Sequence, residues 1–383
     1  MKGLDSAEFQ PMEDTVRRFA EKEVLPHLEA WEAAEAFPRE LYGKLGDLGW
    51  LAMGFDEAYG GIEASMSLRA AFNVALARST GSGGLMAGLF SHTIGLPPIA
   101  RHGSDALKRT ILPEVLAGRK ISALAITEPG GGSDVARLRT RATRQGDHFV
   151  INGEKTFITS GMRADWITLA VVTDPGKGAS GGISMIAVPG DTPGLVRTKL
   201  RKMGWLCSDT AILHFQDAKV PASNLIGEEG AGFKMIMTNF NSERLAISAI
   251  ALGSAQCCYD EALRWARDRQ TFGKALVDHQ VIRHKLVDMR TRIESTRAWL
   301  AAVAARGDLG DTGPDWVADV CMLKNHATQA MQFCADQAVQ ILGGMGFMRG
   351  TNSERLYREV KVLTIGGGTE EIMKELAARQ LGF

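Results

Sequence analysis

Hydrophobic residues change their spacing twice along the chain, near residues 121 and 231, and so divide it into three regions. In the first region apolar residues recur three and four positions apart, as in residues 41–51, which predicts amphipathic helices. Longer runs with the same spacing, residues 282–303 and 320–341, occupy the last region. Long helices joined by short loops are typical of a helical bundle.

The middle region has the pattern of short β-strands. Apolar runs such as WITLAVVTD and TAILHFQDAKVP are separated by glycine, proline and aspartate. In HFVINGEKTFIT, residues 148–159, the dipeptide Asn152-Gly153 predicts a tight hairpin turn between two strands. The pattern therefore predicts an α+β multidomain protein with an N-terminal α-helical domain (residues 1–121), a middle β domain that is a barrel or a sandwich (residues 122–230), and a C-terminal α-helical bundle (residues 231–383).

Composition narrows the class of protein. The 44 acidic and 44 basic residues balance, which argues against a nucleic-acid partner. No apolar run reaches the roughly 20 residues that a membrane-spanning helix needs. The first residues are too acidic for a signal or transit peptide, and the five cysteines show no CxxC spacing. A cytoplasmic location is therefore expected.

Two glycine-rich segments are candidate ligand sites, because glycine lets a backbone approach a ligand closely. ALAITEPGGGSDVARLRT, residues 123–140, adds the polar side chains of Thr127, Ser133 and Asp134 to three glycines. TIGGGTEEIMKE, residues 364–375, places three glycines before a helix that Thr369 can cap. On pattern alone, a surface turn explains the first segment equally well.

Charged segments are less specific. RDRQTFGKALVDHQ, residues 267–280, contains Arg267, Arg269 and Lys274, which suit a phosphate, yet a charged helix end explains them better on pattern alone. QILGGMGF, residues 340–347, reads as the end of a helix. The chain contains no GxSxG motif, P-loop or Rossmann fingerprint, and its histidines fit no common metal-ligand spacing, so no metal site is expected.

Taken in order, these segments resemble the acyl-CoA dehydrogenase family. The resemblance begins with LGDLGWLAMGFDEAYGG, continues through AITEPGGGSDVA, INGEKTFITSG, KMGWLCSDT and RQTFGKALVDHQ, and ends with QILGGMGF and GGGTEEIMKELAAR. It implies an N-terminal helical domain, a middle β domain and a C-terminal four-helix bundle. It also implies a homotetramer built as a dimer of dimers.

By the same resemblance, one FAD lies between the middle domain and the C-terminal bundle. The segment from Leu124 to Ser133 is expected to line the flavin, and Phe157 to pack on its ring system. Residues near Arg269 and Gln340 are expected to reach the adenosine diphosphate half of a neighbouring subunit's FAD. The expected cofactor-binding residues are Leu124, Ile126, Thr127, Gly132, Ser133, Phe157, Ile158, Thr159, Arg269, Thr271, Phe272, Gln280, Gln340, Ile341, Gly343, Gly344, Gly368, Thr369 and Glu371.

The catalytic base is assigned by the resemblance as well. Many members carry a glutamate directly before the Gly-Thr of the last motif, where this chain has Gly367. Members resembling the long-chain and isovaleryl-CoA dehydrogenases carry it on a bundle helix before an arginine, which in MTNFNSERLAIS is Glu243 followed by Arg244. Glu243 is therefore the expected base, with its pKa raised by exclusion of water, and the N–H of Gly367 is the expected donor to the thioester carbonyl. The expected substrate contacts are Ser133, Asn241, Arg244, Gly366 and Gly367.

The resulting expectation is an FAD-dependent acyl-CoA dehydrogenase that forms a trans-2-enoyl-CoA and passes electrons to an electron-transfer flavoprotein. The vacant position at Gly367 favours a medium-chain, long-chain or branched acyl group. An acyl-CoA oxidase, a flavin monooxygenase or nitroalkane oxidase, and a flavin-binding relative without dehydrogenase activity remain alternatives. Arg137, Leu206 and Gly350 depart from the family pattern and are expected to affect packing or substrate preference.

Overall fold

The N-terminal region is helical in the computed structural model, which describes residues 7–383. Apolar stripes on these helices pack into one core that includes Phe19, Leu45 and Phe72. Serines at positions 65, 82 and 104 cap three of the helices through their side chains. The helices are α1 (Gln10–Phe19, continued by a π-helical turn, Ala20–Val24), α2 (Leu28–Ala34), α3 (Glu40–Asp47), α4 (Met66–Thr80), α5 (Gly83–Leu89), α6 (His92–Gly95), α7 (Pro97–His102) and α8 (Asp105–Leu116).

The middle region forms one eight-stranded sheet and carries a short helix, α9 (Gly178–Gly182). The strands are β1 (Ser122–Ala125), β2 (Arg141–Gln145), β3 (His148–Thr159), β4 (Trp166–Val172), β5 (Ile183–Pro189), β6 (Leu195–Lys199), β7 (Thr210–Pro221) and β8 (Leu225–Ile226). Seven of them follow the order β6-β7-β3-β2-β4-β5-β8, and β1 pairs with β4 in parallel.

Strands β4 and β5 are buried on both faces, which explains their unbroken apolar sequence. On β4, Ile167 and Leu169 face the core of the sheet, whereas Ala170 faces a second core formed with helix α8. That second core also receives Met235 and Ile236 from the C-terminal region. The sheet is therefore held between its own core and helices from both neighbouring regions.

The hairpin predicted at Asn152-Gly153 is wrong, because β3 runs straight through both residues. Asn152 exchanges two hydrogen bonds with Asp217 on β7, and a β-bulge follows at this point of the ladder. At Gly153, with φ of +144°, an added Cβ would lie 2.6 Å from the Cα of Thr140. The glycine thus serves a close approach between chains rather than a turn.

The C-terminal region is a helical bundle. Helices α10, α11, α12 and α14 surround one core, and α15 packs on α12. Thr369 caps α15 by accepting a hydrogen bond from the N–H of Ile372, as predicted. The elements are α10 (Gly232–Asp268), β9 (Gln270–Thr271), β10 (Lys274–Ala275), α11 (Gln280–Asp308), α12 (Pro314–Leu342), α13 (Gly344–Phe347), α14 (Asn352–Ile365) and α15 (Glu370–Gln380).

These elements confirm the predicted fold class, with a helical region, a β region and a helical bundle in that order. All three regions meet at Glu359 on α14. Its carboxylate accepts hydrogen bonds from the backbone N–H groups of Gly83, at 2.7 Å, and Trp205, at 3.2 Å. Across residues 7–383, no helix is both long enough and apolar enough to cross a membrane.

Candidate active site

The candidate base, Glu243, lies on α10 and is partly buried. Its Oε2 atom is buried and accepts no hydrogen bond from the chain. Burial raises the pKa of Glu243 to about 7, although Arg244 and Lys324 both act to lower it. The rise expected from the sequence is therefore confirmed, and near neutral pH this carboxyl group exists in both protonation states.

Arg244, the next residue, points to the glycine-rich loop before α15. Its Nε donates to the carbonyl oxygen of Gly367 at 3.0 Å, and its Nη1 donates to Oδ1 of Asn241 at 3.1 Å. The Arg244 side chain is almost fully buried. It therefore connects the helix that carries Glu243 to the loop that contains Gly367.

Gly367 and Glu243 occupy neighbouring space. A Cβ atom added at Gly367 would lie 3.7 Å from Oε1 of Glu243 and 2.8 Å from Cδ1 of Ile247. The backbone of Gly367 has φ of +67°, a conformation that residues with side chains rarely adopt. The carboxylate on α10 thus lies beside the position from which many relatives are expected to project theirs.

The residues on either side of Gly367 belong to the same glycine-rich loop before α15. Gly368 has φ of +109°, and Gly366, Gly367, Gly368 and Thr369 are partly exposed. Within the described chain, the N–H groups of Gly367 and Gly368 make no hydrogen bond to another residue. Glu371 is exposed in the first turn of α15. The loop therefore offers free backbone donors next to a base.

Lys324, which the sequence analysis did not select, holds the same loop from the opposite side. Its side chain is 0% exposed, and its Nζ donates to the carbonyl oxygens of Gly368 at 2.8 Å and Thr364 at 3.2 Å. The sequence contains a signal for it, since Lys324 follows Leu323 within the apolar stripe of α12. A lysine inside such a stripe is one that the fold buries.

The first glycine-rich segment, residues 123–140, joins strand β3 through a buried ion pair. Lys155 Nζ lies 2.9 Å from both Oε1 of Glu128 and the carbonyl oxygen of Ile126. Nearby, the N–H of Thr156 donates to the carbonyl oxygen of Thr127 at 2.8 Å. Lys155 and Glu128 were also missed in the sequence, because neither lies in a pattern that distinguishes buried from exposed charge.

These contacts bring the expected flavin-lining residues together. Phe157 follows Thr156 directly and leaves 68% of its surface exposed, whereas Ile158 is buried and Thr159 is partly buried. Gly132 and Ser133 lie on the exposed part of the segment. Ring exposure of this size beside a glycine-rich loop is the kind of surface on which a planar ligand packs.

The two glycine-rich loops are linked through α10. Leu124 and Ile126 pack in the same core as Phe240, and the guanidinium of Arg244 lies 5.5 Å from the Phe240 ring centre. The base and the exposed ring of Phe157 therefore belong to neighbouring elements at the junction of the sheet with the bundle.

The remaining expected cofactor residues lie at one end of the bundle, away from Glu243 along the chain. A hydrogen bond from Lys285 to Gln337 places the start of α11 beside the end of α12. Phe272, in the β9–β10 turn, is 97% exposed. Of this group, Arg269, Phe272, Gln280, Gln340, Gly343 and Gly344 are exposed, Thr271 is partly buried and Ile341 is buried.

Chemically, the arrangement suits proton abstraction. A carboxyl group with a pKa near neutrality faces unpaired backbone donors that are able to stabilise a developing negative charge on oxygen. In the part of the chain that the structure describes, no group of three or more His, Cys, Asp or Glu side chains is placed to hold a metal ion.

Comparisons with known proteins cover nearly the whole chain. Residues 6–119, 123–218 and 230–382 match the family domains described as acyl-CoA dehydrogenase N-terminal, middle and C-terminal domain. The long-chain specific acyl-CoA dehydrogenase of rat mitochondria is 36% identical over 384 residues, which cover 100% of this chain and 88% of the relative.

Solved structures give the same result. A crystal structure of a probable acyl CoA dehydrogenase from Mycobacterium abscessus is 45% identical, with a TM-score of 0.95, and the match covers 99% of this chain and 100% of that one. A glutaryl-CoA dehydrogenase from Mycobacterium smegmatis, solved in complex with FADH2, is 26% identical with a TM-score of 0.90, and the match covers 99% of this chain and 95% of that one.

Proposed function

This chain belongs to the acyl-CoA dehydrogenase family and is an acyl-CoA dehydrogenase, and on that premise we propose that Glu243 is its catalytic base. The observation that carries the proposal is the 3.7 Å between Oε1 of Glu243 and the position of a Cβ at Gly367. Glu243 thereby supplies a carboxylate at the place where the chain lacks one at Gly367.

Proton abstraction uses separate protein groups as the base, as the donor to the carbonyl oxygen and for positioning. Glu243 takes the proton from the α-carbon of the acyl group, and its raised pKa makes it a stronger base than an exposed carboxylate. The free N–H of Gly367 hydrogen-bonds the thioester carbonyl oxygen and stabilises the enolate that forms. The hydrogen bonds of Arg244 to Gly367 and to Asn241 fix the position of Gly367 relative to the helix that carries Glu243.

The family is FAD-dependent, and we propose that this chain binds FAD. The residues present suit that cofactor. Phe157 offers an exposed ring, and added Cβ atoms at Gly130 and Gly131 would meet nothing within 4 Å, which leaves space along the loop. Arg269 is an exposed cation for a diphosphate. FAD held there would supply the acceptor for the hydride that leaves the β-carbon of the substrate, and the product would be a trans-2-enoyl-CoA.

The finer assignments are proposals too. We propose a medium-chain, long-chain or branched acyl substrate, which the absent side chain at Gly367 and the long-chain specific relative support. We propose an electron-transfer flavoprotein as acceptor, a homotetramer, and a cytoplasmic location, the last supported by five cysteines that are free and buried in the structure. We also propose domain limits of 1–121, 122–230 and 231–383, which the matched ranges of 6–119, 123–218 and 230–382 support.

Exposed aromatic side chains support the assembly. Phe272 in the β9–β10 turn is 97% exposed, and Phe347 at the end of α13 is 87% exposed. We propose that these two rings contact a neighbouring subunit. Sedimentation of the purified protein tests the tetramer, and Phe347→Ser is expected to shift it towards smaller species. A monomer at micromolar concentration would contradict the assembly.

The base is tested by anaerobic titration of the purified protein with a panel of acyl-CoA esters, followed by the loss of flavin absorbance. Glu243→Gln is expected to retain FAD and to lose bleaching with every ester. Glu261→Gln, the same chemical change about five turns further along α10, is the matched control and is expected to bleach. Full bleaching of Glu243→Gln would contradict the assignment of Glu243 as the catalytic base.

The same panel tests the substrate. Bleaching that is fastest with long or branched esters supports the proposal, whereas a maximum at butyryl-CoA with no reaction of long or branched esters contradicts it. Hydrogen peroxide formed at the rate of turnover in air would identify an oxidase in place of a dehydrogenase that uses a flavoprotein acceptor.

A further inference from the structure

Lys324 is a buried charge that the mechanism above does not use. It lies in the middle of α12, is fully buried, and donates to the carbonyl oxygens of Thr364 and Gly368. Thr364 is in the last turn of α14, where carbonyl groups lack helical partners and a cation is favourable. Lys324 therefore binds the segment that leads from α14 into the glycine-rich loop.

The charge of Lys324 has no close counter-ion. Among the described residues, the direct partners of its Nζ are two neutral carbonyl groups. The charged or titratable groups that act on it are Glu370 on α15, Arg244 and Glu243 on α10, and Cys321 on its own helix. Its positive charge therefore acts beyond these carbonyl groups, on Glu370 most strongly and on Glu243 as well.

Arg244 and Lys324 hold successive carbonyl groups. Arg244 binds the oxygen of Gly367 and Lys324 binds that of Gly368. Because a peptide group is planar and trans, fixing each carbonyl oxygen also fixes the direction of the following N–H group. Arg244 thereby fixes the N–H of Gly368, and Lys324 fixes that of Thr369. Because Lys324 also binds the carbonyl oxygen of Thr364, it holds the loop on both sides of Gly367.

We propose, on the basis of the proposed function, that Lys324 is a positioning residue for the dehydrogenation, which holds the Thr364–Gly368 segment so that the backbone of Gly367 stays beside Glu243. Two separate effects follow. The hydrogen bonds to the loop affect how well the substrate carbonyl is held, and the positive charge affects the fraction of Glu243 that is ionised at neutral pH.

Three substitutions separate these effects. Lys324→Met removes both the charge and the donors, Lys324→Gln keeps a donor without the charge, and Lys324→Arg keeps both. Asn325→Ala is the matched control, because Asn325 lies next to Lys324 and donates to the carbonyl of Glu370 at the same segment without carrying a charge.

Two readouts are compared in the FAD-loaded protein. The first is the rate of anaerobic flavin reduction at saturating acyl-CoA as a function of pH, which gives a plateau rate and an apparent pKa. The second is the infrared carboxyl absorption of Glu243 against Glu243→Gln, which follows the ionisation of the base without turnover.

Loss of a nearby positive charge raises the pKa of a carboxyl group, typically by about one unit or more. Lys324→Met and Lys324→Gln are therefore expected to raise the pKa of Glu243 in both readouts. The plateau rate is expected to fall more in Lys324→Met than in Lys324→Gln. Lys324→Arg and Asn325→Ala are expected to leave the pKa unshifted.

An unshifted pKa with a wild-type plateau rate in folded Lys324→Met overturns the proposal. Failure of both uncharged variants to fold overturns it as well, because Lys324 would then serve the stability of the bundle. If the unaltered protein bleaches and Glu243→Gln does not, such results count against Lys324 alone. If the unaltered protein does not bleach, the proposed function has failed first.

Discussion

Two glycine-rich loops in this protein are each held by a fully buried lysine, but the two lysines differ in their partners. Lys155 under the Thr127–Ser133 loop contacts a carboxylate, that of Glu128, at 2.9 Å. Lys324 under the Gly366–Gly368 loop contacts carbonyl oxygens. Burial lowers the pKa of each lysine to about 8.

This difference in partners distinguishes a lysine charge that stabilises its own loop from one that acts on the active site. A lysine in contact with a carboxylate forms a locally neutral unit whose main effect is on the stability of its loop. A lysine among carbonyl groups keeps a positive charge that acts on titratable groups beyond them, here Glu370 and Glu243. The two loops also use their glycines differently, for conformation near Gly367 and for space near Gly131.

The largest effect is expected from Lys155→Met, which leaves Glu128 buried without its cation. Such a change costs about 3–5 kcal/mol of unfolding free energy. Urea denaturation and FAD content measure it, and both are expected to fall. The double variant Lys155→Met/Glu128→Gln is the control and is expected to regain part of the stability, since no unpaired charge remains. A single variant as stable as the double variant would refute the role of the pair.

Gly367→Ala is expected to have the next largest effect, and it acts on the rate. The added methyl group meets Cδ1 of Ile247 at 2.8 Å in a backbone with φ of +67°. Displacement of a catalytic group by about 1 Å costs on the order of 100-fold in rate. Stopped-flow flavin reduction is the measurement. Gly366→Ala, with φ of −65° and its nearest contact at 3.2 Å, is the control and is expected to lose only a few-fold.

Local pattern was sufficient for much of the fold. The two-sided burial of β4 and β5, the long periods of α11 and α12 and the cap at Thr369 all follow from spacing and residue type. The hairpin at Asn152-Gly153 failed because contacts with Asp217 and Thr140, remote in sequence, decided that backbone. Turn propensity depends only on neighbouring residues, so contacts with residues that are remote in sequence override it.

The residues of the candidate site were harder to predict from sequence pattern than the fold was. Glu243 was identified through family resemblance, and its raised pKa followed from the expectation of burial. Lys324 and Lys155 were missed because a lysine is ordinarily exposed, and only the folded chain shows which carbonyl groups surround it. A charged residue inside an apolar stripe is the one local signal that identifies such positions.

A smaller effect is expected on changing the pH. With a pKa of about 7 for Glu243, the rate of flavin reduction is expected to rise about tenfold between pH 6 and pH 8. Glu359 has its pKa raised to about 7 as well, by burial and by Glu32, but it lies outside the site and is not expected to change the rate. A rate that is flat across this range would contradict the assignment of the base.

Stability is expected to follow the opposite trend with pH. For Glu243 and Glu359 the folded-state pKa of about 7 lies above the ordinary value of 4.5, so the folded protein binds more protons between these values. The contribution of these two groups to the unfolding free energy is therefore expected to fall as the pH rises from 4.5 to 7 and to level off above it. Glu359→Gln is expected to reduce this slope in urea titrations without changing the pH profile of the rate.

The smallest effect is expected from Gly131→Ala, which tests whether glycine in the first loop serves space or conformation. Gly131 has no positive φ, and a Cβ there would meet nothing within 4 Å. Removing glycine's freedom in the unfolded chain then stabilises the fold by about 0.4–1 kcal/mol. Urea denaturation without cofactor is expected to show this gain. If FAD affinity falls while the cofactor-free protein gains stability, the open space along this loop is space that the cofactor uses.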